Sequence, residues 1–127
     1  MSNFIDYDTL LEETIGVSLN ENGSYNPALI APKIMHYADV LEHLAKKDEK
    51  INVQAVNDLI LTFKKLGTAI HGRADSMTKQ CLSRSRGLME KVDDKFDSDI
   101  SDNARRLKMC VRTARSTIFK LCDIYNV

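Results

Sequence analysis

The chain has 127 residues, 43% of them hydrophobic and 28% charged, and a formal net charge of zero. A chain of this length makes one domain that buries roughly two thirds of its unfolded surface, so it needs neither disulfides nor a structural metal to fold. The composition excludes a disordered polyelectrolyte. No Trp and only 6% aromatic residues argue for helices over a strand-rich fold.

The charge is unevenly spread. Residues 1–50 carry 4 Lys, no Arg and 9 acids, whereas residues 51–127 carry 14 basic residues and 9 acids. The first basic side chain is Lys33. Such asymmetry fits an acidic arm folded over a basic surface, an acid-seeking C-terminal half, or helices with different solvent faces.

From the N-terminus, Phe4 to Ile15 reads as a short acidic helix, with Asp6 or Asp8 as cap and Leu10, Leu11 and Ile15 as its apolar side. Gly16 to Asn26 holds two Gly, three Asn and two Ser and reads as a loop. Asn22-Gly23-Ser24 matches a glycosylation sequon, but the N-terminus lacks the basic and apolar regions of a secretion signal. The expected compartment is therefore intracellular, cytoplasmic or nuclear. No apolar run is long enough to span a membrane. Residues 1–26 form an acidic N-terminal segment, and 27–127 form the helical domain.

Pro27 suits the first turn of a helix, and Ile30, Ile34, Tyr37, Leu41 and Leu44 follow at helical spacing to about residue 47. Pro32 is expected to delay the start of that helix. On this helix His36, Asp39 and His43 share one face. With only His71 elsewhere they do not make a metal site, and no cofactor is expected. Lys46 to Lys50 reads as a solvated turn.

Asn52 is the expected cap of the next helix. Val53, Val56, Ile60, Phe63, Gly67, Ile70, Ala74, Met77 and Cys81 alternate at spacings of 3 and 4, widened by Leu59 and Leu66. After Cys81 the pattern puts Arg84 on the seam, and Leu88, Val92 and Phe96 resume it. Cys81 and Cys110 read as small core hydrophobes with free thiols. An unbroken helix over 52–97 would run about 70 Å, twice the diameter of so small a domain, and would call for an elongated dimer. A break near Gly72 gives about four antiparallel helices of matched length. The sequence therefore predicts an all-α helical bundle, with the elongated dimer as the alternative.

The last helix, capped by Ser101 or Asp102, carries two stripes. Ala104, Leu107, Val111, Ala114, Ile118, Leu121 and Tyr125 form the apolar one; Arg105, Lys108, Arg112 and Arg115 form a cationic one beside it. Like charges one turn apart repel by a few tenths of a kcal/mol per pair, so the stripe favours an acidic counterpart. The chain's own Asp6, Asp8, Glu12 and Glu13, or Glu90, Asp93 and Asp94, are internal candidates. Arg84 and Arg86, within Ser83-Arg84-Ser85-Arg86, extend the basic surface, and Ser85 is a candidate phosphate acceptor. No nucleophile elbow or Gly-rich phosphate loop is present, and the paired acids read as solvated faces. The expectation is a non-enzymatic interaction or adaptor module. It binds an acidic macromolecular surface of another protein, or a second copy of itself as a homodimer, through Arg105, Lys108, Arg112, Arg115, Arg84 and Arg86. The alternative is nucleic-acid binding by the same residues.

Overall fold

A computed structural model describes residues 25–127. The expected N-terminal helix 4–15 and most of the following loop lie outside the described residues. Four helices run through the described part: α1, Pro27–Lys47; α2, Gln54–His71; α3, Asp75–Lys95; and α4, Asp102–Tyr125. No strand occurs among the described residues. Each helix packs on two neighbours, α1 on α2, α2 on α3, α3 on α4, and α1 on α4, while the diagonal pairs stay apart. The short connections make successive helices antiparallel, so the result is a four-helix bundle.

The apolar stripes meet inside it. Ile30, Ile34, Tyr37, Leu41 and Leu44 of α1 are buried, as are Leu59, Phe63 and Leu66 of α2. From α4, Ala104, Leu107, Val111, Ala114, Ile118 and Leu121 are all buried. Tyr37 and Phe63 form the aromatic centre, their rings 6.2 Å apart and tilted. The Tyr37 hydroxyl finds its partner in Thr117 Oγ1, 2.7 Å away on α4, which satisfies both groups away from water. Gly67 lies against the Met35 side chain of α1, which would have to shift to admit a Cβ. A Cβ there would lie 2.6 Å from Met35 Sδ.

The long central helix of the alternative reading is absent. His71 ends α2 and Asp75 starts α3. The break falls at Gly72, but the left-handed residue is Arg73, with φ of 55°. The Arg73 amide donates to the Ile70 carbonyl at 3.1 Å and the Ala74 amide to the Ala69 carbonyl at 2.9 Å. That pair of bonds is a Schellman closure with arginine where glycine is usual. Ala74 and Met77, expected on the apolar stripe, are exposed, because the chain changes direction between Ile70 and Cys81.

Three local expectations are corrected. Asn52 does not cap α2. Val53 holds the cap position without a side-chain bond, and Asn52 Oδ1 instead accepts from Asn57 Nδ2 at 2.8 Å. Pro32 does not delay α1, which starts at Pro27 behind the Asn26 cap. Pro32 lies close enough to the N-terminus that it removes a single backbone bond there. The third concerns the seam of α3. Cys81, Leu88, Val92 and Phe96 are buried as expected, joined by Thr78, Leu82, Ser85 and Met89, but Arg84 points outward. Burying an unpaired guanidinium costs far more than burying a hydroxyl, so the register turns Ser85 inward and leaves Arg84 in water.

Candidate interaction surface

The α4 sequence places its cations along one edge of the solvent face. Arg105 and Arg112 are exposed, whereas Lys108 and Arg115 are half-buried against α3 and the loop before α4. Arg105 makes a loose pair with Asp102, 3.8 Å away, and both side chains stay mostly in water. Such a contact contributes a fraction of a kcal/mol at most. Arg112 makes no ion pair or hydrogen bond with the described residues. Lys108 Nζ donates to the Asp99 carbonyl at 2.8 Å and so tethers the α3–α4 loop. Arg115 is paired with Asp93 of α3. Thus two of the four stripe residues hold the bundle together, and two face outward without comparable partners.

Arg86 also turns toward its own fold. Its guanidinium lies 5.5 Å from the Phe119 ring centroid on α4, and it donates to the Val127 carbonyl at 3.3 Å. Arg86, Gly87, Glu90, Arg115 and Phe119 line a shallow cleft between α3 and α4. Arg84 lines a different cleft, between α2 and α3, beside Asp58, Lys65, Met77 and Cys81. The structure therefore brings Arg86 and Arg115 together near Phe119 and sets Arg84 apart from them. Ser85 is fully buried and its hydroxyl has no hydrogen-bond partner among the described residues. A kinase has no access to it in the folded chain, which removes it as a phosphate acceptor.

Sequence reasoning missed the apolar members of the α4 outer face. Met109, Phe119 and Ile124 are 38%, 47% and 39% exposed. Met109 and Phe119 fall among the cations along the helix and Ile124 beyond them, and being single residues outside the main stripe they left no periodic signal. A cationic helix face interrupted by exposed apolar side chains suits an acidic partner that also offers hydrophobic groups.

His36 and Asp39 are exposed and His43 is half-buried on α1. No group of His, Cys, Asp or Glu among the described residues is arranged to hold a metal ion. Cys81, Cys110 and Cys122 are free and buried. Burial pushes the Cys110 thiol up to about 12 and raises Cys81 and Cys122 as well, so all three favour the protonated, unreactive form. No described helix is long and apolar enough to cross a membrane. Comparison with known proteins finds no matching family model, no matching curated protein and no matching solved structure. The character of this surface therefore rests on its own side chains.

Proposed function

We propose that the bundle is a non-enzymatic interaction module that binds an acidic protein surface through the outward face of α4. One observation carries this reading. Arg105 and Arg112 project from a rigid helix whose opposite side is locked in the core. Nearby cations Lys108 and Arg115 are already engaged, and Arg112 has no acid partner among the described residues. The cost of aligning four like charges is offset within the fold only for part of the row. The contact surface expected from sequence thus contracts to Arg105 and Arg112, flanked by Met109 and Phe119. Arg84 contributes to a separate cleft.

Capture from a native lysate by the full chain, compared with Arg105→Glu plus Arg112→Glu, tests the reading. Retained acidic proteins that are lost with the double substitution support it; equal capture removes this face from the account. Nucleic-acid binding by the same arginines is the competing result. It would show as duplex or single-strand affinity falling with salt at a log–log slope near the number of phosphates contacted.

A further inference from the structure

We propose that the outward face of α4 is also the docking site of this chain's own acidic segment, residues 4–15, which competes there with the external partner. The proposal rests on the reading of that face as acid-seeking. Charge is the first argument. The segment offers Asp6, Asp8, Glu12 and Glu13 with no basic residue, and the α4 face offers Arg105 and Arg112 with only the loose contact to Asp102. The unequal charge of the two halves of the chain is compatible with internal pairing of this kind.

The point where the segment leaves the bundle is the second argument. Tyr25 is bonded to Tyr125 through hydroxyls 2.8 Å apart, with the rings edge to face at 5.6 Å. Tyr25, the first described residue, therefore sits at the C-terminal end of α4, the helix that the segment would cover. At about 1.5 Å per residue, Arg112 lies about 20 Å and Arg105 about 30 Å along α4 from Tyr125. Residues 16–24, extended, reach about 30 Å. The tether is long enough to set 4–15 along that row and short enough to hold it at millimolar effective concentration.

Apolar complementarity is the third. Phe4, Ile5, Leu10 and Leu11 alternate with the acids of the segment, and Met109 and Phe119 are exposed among the cations of α4. A purely electrostatic contact would be largely screened at physiological salt, whereas interleaved apolar groups persist. The competing groove between α2 and α3 exposes Leu61 and Met77 beside Lys65, Arg84 and Asp58, and the test below distinguishes it.

The test uses the full chain with a nitroxide on Thr14→Cys, read by paramagnetic loss of amide signals. The three native thiols are buried, so labelling is selective. Dilution with unlabelled chain separates intramolecular from intermolecular effects. The expected result is loss of about half or more of the signal intensity between Arg105 and Phe119. Intensity returns at about 0.5 M salt or when Asp6→Asn, Asp8→Asn, Glu12→Gln and Glu13→Gln are combined. Loss centred on Leu61 and Met77, loss nowhere, or loss seen only between different chains overturns the proposal. A second readout is affinity for a polyglutamate peptide. The neutralised variant should bind about three- to tenfold more tightly than the parent, because its internal competitor is gone. Unchanged affinity contradicts the docking and leaves the surface reading standing. No binding by either chain contradicts the surface reading and the docking with it.

Discussion

The Tyr37 hydroxyl and Thr117 Oγ1 lie 2.7 Å apart inside the bundle and join α1 to α4 across the core. Both side chains are buried, and the Cys110 thiol reaches the Tyr37 carbonyl at 3.8 Å beside them. This contact adds to the buried apolar row of α4, which turns that side of the helix inward and leaves Arg105 and Arg112 in water.

Removing one partner of that bond leaves the other stranded. Tyr37→Phe or Thr117→Val should each lower stability by about 1–2 kcal/mol. The double variant should fall well short of the sum, because neither polar group then remains unsatisfied. Denaturant unfolding of the four chains measures the coupling, and strict additivity would show that the pair does not interact.

Leu107 and Arg112 share a helix and face opposite environments. Leu107 is fully buried, so Leu107→Ala should cost about 3 kcal/mol, with Val111→Ala costing less. Arg112→Glu should change stability by no more than about 0.5 kcal/mol. Thermal melts of the three variants check the contrast; a large loss with Arg112→Glu would mean that this side chain is enclosed.

Arg73 holds the left-handed position that ends α2. Its side chain is exposed, so little packing is at stake. Arg73→Gly should raise stability by about 0.5–1 kcal/mol, since glycine adopts that conformation without the Cβ clash. Gly72 is not in that region, and Gly72→Ala should not give the same gain. The two midpoints in urea decide it.

Stability should fall at both ends of the pH scale, for different reasons. Burial raises Cys81, Cys110 and Cys122, with Cys110 pushed up to about 12. Above about pH 9 the unfolded chain has lost those protons while the folded chain keeps them, so stability declines as pH rises toward 12. On the acid side, Lys64 bonded to Glu42 and amide donors at Asp48 and Asp99 hold these carboxyls below their ordinary values. Their stabilisation is present above about pH 4.5 and is lost as pH falls through the folded values. Melting temperatures from pH 3 to 11 should trace a plateau with both shoulders, and thiol labelling at pH 8 should require unfolding.

The bundle was legible because α1, α2 and α4 each keep one uninterrupted apolar row. The bundle needed only a break near Gly72 to become compact. That break was harder to see, because Ile70, Ala74, Met77 and Cys81 keep helical spacing across it although Ala74 and Met77 face water. Spacing alone does not register a left-handed residue such as Arg73. The α3 seam misled for a related reason. A serine on the buried row looks polar in sequence, so the pattern fell on Arg84 instead of Ser85. Of the cationic stripe, the outward placement of Arg105 and Arg112 was readable from period. The pairing of Arg115 with Asp93, and of Arg86 with Phe119, depends on how α3 lies against α4, which no single helix encodes.

Whether Arg105 and Arg112 form an acid-binding face on an intact bundle is tested most directly by titrating the full chain and its Arg105→Glu, Arg112→Glu variant with a polyglutamate peptide, at low and physiological salt. The parent should show measurable, salt-weakened binding, and the variant at least about a tenfold loss with an unchanged melting temperature. Equal binding by the two chains would contradict an acid-binding role for these arginines.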